Sequence, residues 1–266
     1  MKEHLSFSGW NQYQECEGKA LASDKGLYSF EPTESMLVSK YTEICLIGDA
    51  EEKEKFFTEN PIAVNSRTGK PKAAFLKAEE AAEKAKEDEI FMVFLEGETQ
   101  VRLDGVIEGM PIKGFADVIS EDFITDFKNM ANLNRAWDPV KRRKVSFVEQ
   151  RNYATQGAIY RELVRQMTGK VLKFYIPVLT KEEIPSKVVV SFKDETLDLR
   201  LEMFKDSIPR IKALRAGEVE PNHCGTCDYC KSVLPTRIID QAQVGLTAAE
   251  LEDWRRYLES KEDEEV

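Results

Sequence analysis

Apolar residues along this chain recur with two different periods, and the period predicts where strands and helices lie. Between residues 98 and 106, Val101 and Leu103 alternate with polar side chains, which predicts a half-buried strand. Residues 171–179 and 187–192 are rich in β-branched side chains and predict two further strands. These segments would supply much of a sheet.

Helices are predicted wherever apolar residues follow helical spacing or the composition is rich in helix formers. The first has serine caps and a buried stripe of Trp10, Tyr13 and Ala20 or Leu21, with Cys16 inside it. The predicted helices cover residues 6–23, 34–48, 72–89, 145–167 and 196–216. Helices on either side of a group of strands fit an α/β fold with a mixed central sheet.

Charged residues interrupt the apolar pattern in the stretch GVIEGMPIKGFADVISEDFITDFKN, residues 105–129. It predicts two short strands joined by a turn, with Asp117 near the end of the first and Asp126 and Lys128 on the second. Residues two apart in a strand point to the same face, so Asp126 and Lys128 share one surface. Charges in apolar strands need a partner or a task. The stretch therefore predicts one site that combines acids with a cation.

The motif Gly114-x-x-Asp117, followed by Asp126-x-Lys128 at the end of an apolar strand, resembles the PD-(D/E)xK nucleases. The similarity is to the RecB/RecE-like phage exonuclease branch in particular. Asn129 stands where threonine is commoner in that branch. An exposed salt-bridge pair on a hairpin is the alternative interpretation of the Asp-x-Lys motif taken alone.

A second motif, Gln156 and Tyr160 four residues apart on one helix face, resembles the QxxxY helix that follows the D-x-K strand in RecB-like nucleases. Together the two motifs imply a restriction-endonuclease-like fold, in which a mixed central sheet is flanked by helices. A C-terminal cysteine-rich segment would be added to it. The resemblance extends over most of the chain, from Ser6 to Lys231.

The resemblance also implies roles for the site residues. Asp117, Asp126 and the backbone carbonyl of Phe127 would bind Mg²⁺ (or Mn²⁺), which accepts oxygen ligands. Glu43 occupies the position at which RecE-like proteins supply another active-site residue, and it would complete the metal shell. Lys128 would orient or deprotonate the attacking water or neutralise developing charge. Gln156 and Tyr160 would position the phosphate strand and the lysine.

By this resemblance the protein is expected to be a metal-dependent DNA exonuclease that leaves 5′-phosphorylated ends. It would act 5′-to-3′ on linear double-stranded DNA, in phage-type recombination or end processing. A single-strand annealing recombinase would be its partner, and such enzymes are often homo-oligomers. The alternatives are a catalytically inactive DNA-binding module of the same fold and a structure- or site-specific endonuclease. A zinc-ribbon interaction protein would leave the acidic motifs unexplained.

Cysteines near the C-terminus form a second motif. Cys224, Cys227 and Cys230 have C-x2-C-x2-C spacing, which lets successive thiolates converge on a metal. In the iron–sulfur subgroup of RecB-like nucleases, which includes the AddB type, a fourth cysteine comes from an upstream Tyr-x-x-Cys helix. Cys16 matches that position. The resemblance thus implies a [4Fe–4S] cluster held by four cysteines.

Two other interpretations of the cysteines stay open. Zn²⁺ could be bound by the same four thiolates or by three of them with His223, and the cysteines could also be reduced and unligated. A disulfide framework is not expected in a chain without an export signal. Cys45 lies among apolar residues and is predicted to be an ordinary buried thiol.

The net charge of −10 argues against non-specific nucleic-acid binding, which depends on neutralising phosphates. The positive charges are, however, unevenly distributed along the chain. Residues 141–144 are Lys-Arg-Arg-Lys, and Arg135, Arg151 and Arg161 lie nearby in the sequence. We expect this basic segment to border the acidic site.

The length of 266 residues permits one large domain. A single nuclease domain is predicted at 1–240, comprising N-terminal helices (6–90), a catalytic core (91–195) and a C-terminal helix with the cysteines (196–232). A helical acidic tail is predicted at 241–266. No apolar run approaches the roughly 18 residues that span a bilayer, and the N-terminus lacks a signal-peptide pattern. A cytoplasmic protein without membrane contact is expected.

Overall fold

The fold consists of strands and helices within residues 2–138 and 141–236, which together with residues 241, 245 and 256 are described by a computed structural model. The helices of this described part are α1 (Phe7–Glu15), α2 (Glu17–Asp24), α3 (Glu34–Ile47), α4 (Ala50–Glu59), α5 (Ala73–Lys86), α6 (Glu89–Val93), α7 (Phe147–Gln150), α8 (Tyr153–Thr168), α9 (Asp194–Ala216) and α10 (Asp228–Val233). The strands are β1 (Glu98–Ile107), β2 (Met110–Ile119), β3 (Phe123–Thr125), β4 (Lys128–Met130), β5 (Ala136–Asp138), β6 (Arg143–Val145), β7 (Lys173–Thr180) and β8 (Lys187–Ser191).

The central sheet is mixed, with the order β1-β2-β3-β7-β4 and with β8 on β7. β1 and β2 form a long antiparallel hairpin, and β2 pairs with β3 in the same sense. β3 and β4 both run parallel to β7, and the partners Phe123–Lys173 and Lys128–Val178 have the same offset along the chain. β3 and β4 are therefore one strand in register, interrupted at the two residues between them.

Two apolar cores cover opposite faces of the sheet. Alternate side chains of a strand point to opposite faces, so Ile176 and Val178 of β7 pack into a core with α8 and α9, while Leu179 packs with α3 and α5. Trp10 of α1 and Leu21 of α2 join the first core. This is the predicted α/β architecture of a mixed central sheet flanked by helices.

The helix predicted at 145–167 is broken in the structure. Val145 ends β6, and α7 and α8 are separated at Arg151 and Asn152. Asn152 has a φ of 56°, a left-handed conformation that asparagine tolerates better than most residues. The break sets the direction of α8 independently of α7, and the antiparallel hairpin β5–β6 that precedes it was not predicted.

The acidic stretch after α3 forms α4, which begins with a capping box between Asp49 and Glu52. No helix in the described residues is long and apolar enough to span a membrane. Apart from residues 241, 245 and 256, the predicted acidic tail at 241–266 lies outside the described residues. The tail and the domain limits stay predictions.

Candidate active site

The two acids predicted from neighbouring strands meet where those strands part. The last pair between β2 and β3 joins Val118 to Thr125, which are the residues next to the two acids. Continuing this antiparallel register by one residue places Asp117 opposite Asp126. The N–H of Phe127 donates to Asp117 Oδ2 at 2.8 Å, and the N–H of Asp126 donates to the carbonyl oxygen of Tyr175 at 3.2 Å. The interruption between β3 and β4 is therefore hydrogen-bonded on both sides, which fixes the position of both acids.

Lys128, the first residue of β4, completes this arrangement. Its ammonium group forms an ion pair with Asp126 and lies 5.0 Å from the ring centroid of Tyr153, within range of a cation–π contact. Burial alone would lower the pKa of Lys128, but the negative charge of Asp126, with contributions from Tyr153 and Asp117, outweighs burial and raises it. Lys128 therefore stays cationic at neutral pH.

Gln156 connects the acids to α8. Its Nε2 donates to Asp126 Oδ1 at 2.7 Å and to the hydroxyl oxygen of Tyr160 at 3.1 Å. Burial raises the pKa of Tyr160, helped by the charge of Asp126, so the phenol stays neutral. The ring of Tyr160 packs on Gly114 of β2, where a Cβ atom would lie 2.7 Å from Cε1. The two motifs of the sequence are thus in direct contact.

Glu43 reaches this site from α3. Nε2 of Gln100 donates to Glu43 Oε1 at 2.8 Å and to Asp117 Oδ1 at 3.3 Å, so one amide group bridges the two carboxylates. Lys40, one turn earlier on α3, pairs with Glu43 at 2.7 Å. Gln100 has a φ of 53° near the start of β1, a left-handed conformation that is uncommon for a residue other than glycine.

The four motif cysteines converge at a second site. The Sγ atoms of Cys16, Cys224, Cys227 and Cys230 all lie within 4.8 Å of one another. Cys16 was predicted to lie inside a helix, and this prediction is wrong. It lies at the joint between α1 and α2, where its backbone is extended, with a φ of −165° and a ψ of 106°. This joint brings Cys16 Sγ to 3.5 Å from the Sγ of Cys230. Thiols from both ends of the chain therefore meet at one point.

Hydrogen-bond donors favour the thiolate form of Cys224, whereas burial raises the pKa of Cys227 and Cys230. The N–H of Cys227 donates to Cys224 Sγ at 3.3 Å, and the N–H of Cys230 donates to Cys227 Sγ at 3.4 Å. Burial would raise the pKa of Cys224, but hydrogen bonds from Thr226 and Cys227 lower it to about 6. His223 Nδ1 lies 3.5 Å from Cys230 Sγ. The thiolate is the form that binds metals, so the residues fit a metal site.

A known protein family matches most of this chain. The family described as "PDDEXK-like domain of unknown function (DUF3799)" matches residues 6–233. The chain belongs to this family. Its membership confirms the PD-(D/E)xK superfamily that the two motifs indicate, because the family is described as a PDDEXK-like domain.

Solved structures add to this assignment of a PDDEXK-like domain. The crystal structure of a protein from Eubacterium rectale, provisionally named an exonuclease, is 29% identical and superposes with a TM-score of 0.84, covering 92% of this chain and 94% of that one. This likeness supports nuclease activity. Another structure, SSO0001, is 14% identical over 87% of this chain and 96% of its own, and its TM-score of 0.30 is too low to indicate a shared fold. No curated protein matches this chain.

The acids of the PDDEXK-like domain fit the divalent metals that nucleases of this superfamily typically use. Burial, together with the charges of Asp126 and Glu43, raises the pKa of Asp117 well above its usual value. Burial contributes most to this shift, and the two neighbouring negative charges add to it because the positive charge of Lys128 compensates them only in part. Carboxylate oxygens are the ligands that Mg²⁺ prefers, so a divalent cation would relieve this repulsion.

Three residues at the site have no counterpart among those predicted from the sequence, namely Lys40, Gln100 and Tyr153. Tyr153 lies three residues before Gln156, so helical periodicity could have placed it on the same face. Lys40 stands three residues before Glu43 and could have been found in the same way. Gln100 has no such signal, because its backbone conformation cannot be read from the polar alternation of β1.

The basic residues predicted to border the site divide into two groups. Arg161 is buried and pairs with Asp194 and Asp198 of α9, so the prediction is wrong for this residue. Its position on α8 faces α9 and not the acids. Arg135 and the described residues 141–144 are exposed and lie on or beside the hairpin β5–β6, and Arg151 is exposed at the start of α8.

Proposed function

We propose that the protein is a metal-dependent DNA exonuclease that acts 5′-to-3′ on linear double-stranded DNA. The observation that carries this proposal is the ion pair between buried Asp126 and partly buried Lys128, held by Gln156 beside Asp117. It combines acids for a metal with a fixed cation, and this is the combination that phosphodiester hydrolysis requires. The likeness to the Eubacterium rectale protein supports the same activity class.

Asp117, Asp126, the carbonyl oxygen of Phe127 and Glu43 would hold Mg²⁺ or Mn²⁺. When bound, such a cation polarises the scissile phosphate and lowers the pKa of a coordinated water. Asp117 is positioned for this task by the N–H of Phe127, which occupies one of its two carboxylate oxygens. Glu43 is positioned by Gln100 and Lys40.

Lys128 supplies positive charge to the reaction. Because its pKa is raised, it keeps its proton at neutral pH and is better suited to stabilise charge that develops on the phosphate than to act as a general base. Gln156 fixes the orientation of Asp126, and Tyr160 supports Gln156. The product would be a 5′-phosphorylated end.

The biological setting is proposed from the family resemblance. Double-stranded DNA ends would be the substrate, in phage-type recombination or end processing, and the 3′ overhangs would pass to a single-strand annealing recombinase. A homo-oligomer in the cytoplasm is part of this proposal. The completeness of the acid and lysine set favours an enzyme over an inactive DNA-binding module of the same fold.

The cysteine site would hold a structural metal. Thiolates on one tetrahedral ion with Zn–S bonds of about 2.3 Å lie roughly 3.8 Å apart, and the four sulfur atoms here lie within 4.8 Å of one another. Thiolates that bind the separate irons of a four-iron cube lie further apart, because each is attached to a different corner. The spacing supports a single ion such as Zn²⁺ over the [4Fe–4S] cluster expected from the resemblance.

Digestion of end-labelled linear and closed circular double-stranded DNA with Mg²⁺, Mn²⁺ or chelator tests the proposal. The wild type should shorten only the linear DNA, with release of label from 5′ ends first. Lys128→Met preserves side-chain length without the charge and should abolish digestion. Lys170→Met, beyond the far end of α8, is the matched control. Cleavage of the circle would indicate an endonuclease, and binding without cleavage would indicate an inactive module.

A further inference from the structure

The hairpin β5–β6 has two faces with different chemistry. Trp137 pairs with Lys144 across the two strands, so their side chains lie on one face of the ribbon. The neighbouring pairs place Val145 and Arg143 on the opposite face. Val145 is fully buried whereas Trp137 is 60% exposed, so one face packs on the protein and the other faces solvent.

The basic side chains of the hairpin β5–β6 differ in the same way between its inner and outer faces. On the inner face, Arg143 pairs with Glu149 of α7, and Lys141, two residues before β6, pairs with Glu149 and Asp138. Lys144 on the outer face and Arg135, which lies directly before β5, make no hydrogen bond or ion pair with any residue that the structure describes. Cations that are already neutralised thus hold the hairpin to the domain. Of the cations without such a partner, Lys144 lies opposite the exposed Trp137 and Arg135 stands two residues before it in the chain.

The hairpin is attached to the candidate active site at both ends. It follows β4, whose first residue is Lys128, and it precedes α7 and α8, whose first residue Tyr153 covers the lysine. Asn152 anchors the return of the chain by donating to Asn11 Oδ1 at 2.7 Å. The outer face therefore belongs to the segment that joins the two halves of the site.

We propose that this outer face binds single-stranded DNA, with Trp137 stacked on an unpaired base and with Arg135 and Lys144 contacting phosphates. The inference rests on the proposed nuclease function and names the form of DNA next to the site. An exposed aromatic ring flanked by free cations is the arrangement that holds single strands. A base within a duplex is already stacked on both faces, so only a frayed or single-stranded end offers it to Trp137. The chain carries a net charge of −10, which makes such a cationic face necessary for approach.

Fluorescence anisotropy with a dye-labelled single-stranded oligonucleotide and a blunt duplex of equal length tests the proposal. Binding is measured in the Lys128→Met background. Trp137→Ala should weaken binding of the single strand about tenfold and should affect the duplex less. Lys144→Ala should weaken it severalfold and reduce the salt dependence of log K by about 0.7. Matched controls are Phe30→Ala, an exposed aromatic between α2 and α3, and Lys170→Ala, and both should bind within twofold of the parent.

Melting curves establish that each variant is folded, and Trp137→Phe should recover most of the affinity because it keeps a ring for stacking. If the hairpin variants bind as the controls do while the wild type digests linear DNA, the hairpin proposal fails and the nuclease proposal stands. If the hairpin variants lose binding but the wild type digests nothing, the nuclease proposal fails alone. Equal losses on single strand and duplex, or no binding by the parent, would overturn the hairpin proposal.

Discussion

Gly114 lies against the ring of Tyr160 so closely that a Cβ atom there would be 2.7 Å from Cε1. Gly114 opens the Gly-x-x-Asp motif of β2, and Tyr160 closes the QxxxY motif of α8. The glycine is required for this approach and not for an unusual backbone conformation, since its φ is not in the left-handed region. The contact determines how near α8 lies to the strand that carries Asp117.

Gly114→Ala is expected to destabilise the protein and reduce DNA digestion. The added methyl group must displace Tyr160, whose hydroxyl accepts from Gln156, and overpacking of this kind costs about 1–3 kcal/mol. Chemical denaturation and a digestion assay measure the two effects. Gly9→Ala in α1 is the control, because its nearest neighbours would be at 3.4 Å and alanine favours helix. Wild-type stability and activity in Gly114→Ala would contradict the packing described.

Gln156→Leu is expected to slow digestion by about 10–100-fold, the usual effect of losing a residue that orients a metal ligand. The substitution removes the donor to Asp126 Oδ1 while keeping an apolar side chain of similar size. The rate is measured at saturating linear DNA. Gln166→Leu, ten residues further along α8, loses its bonds to Val106 and Glu162 instead and should digest normally. An equal loss in both variants would indicate a general effect on the helix.

Asp117→Asn is expected to stabilise the metal-free protein. The pKa of Asp117 is raised in the folded state, so ionisation of this carboxyl destabilises the fold as pH rises from the usual value towards the raised one. In chelator at pH 8, removing the charge should raise Tm by about 2–4 °C for each kcal/mol of repulsion relieved. The gain should shrink as pH falls through the raised pKa.

Melting curves with and without Mg²⁺ complete this test. Mg²⁺ should raise the Tm of the wild type more than that of Asp117→Asn, because the variant loses a ligand. Asp104→Asn changes the same charge on β1, where the carboxylate is exposed and paired with Arg102, and should show neither effect. A lower Tm of Asp117→Asn in chelator at pH 8 would show that the ionised carboxylate of Asp117 does not destabilise the fold.

Cys16→Ser is expected to lose the bound metal and to lower Tm, because Cys16 joins the α1–α2 joint to the C-terminal cysteines. Elemental analysis of purified protein should give one zinc per wild-type chain, and visible absorbance from iron would contradict the single-ion assignment. Cys45→Ser is the control, since Cys45 is equally buried but lies in the core with α3 and α5, outside the cysteine group. Full metal content in Cys16→Ser would exclude Cys16 as a ligand.

Local sequence patterns were sufficient to predict which motif residues lie close together. Asp126 and Lys128 are two residues apart in an apolar stretch, so the strand period alone predicts that they lie on the same face. Gln156 and Tyr160 share a face because α-helical geometry repeats every 3.6 residues. The C-x2-C-x2-C spacing likewise brings three thiols together within one short loop. In each case the relevant residues are close in the chain, so their arrangement follows from backbone geometry.

Tertiary structure decided the contacts between distant segments. Glu43 and Asp117 are bridged by Gln100, which is far from Glu43 in the chain, and Cys16 reaches Cys230 because the joint between α1 and α2 is extended. The burial of Arg161 against α9 and the packing of one face of the hairpin β5–β6 on the protein also depend on contacts between distant segments. These contacts depend on how helices pack on the two faces of the sheet, and periodicity within a segment contains no information about its neighbours in space. The sequence by itself determined the chemical groups and their local geometry, and the packing of distant elements determined which of them share a site.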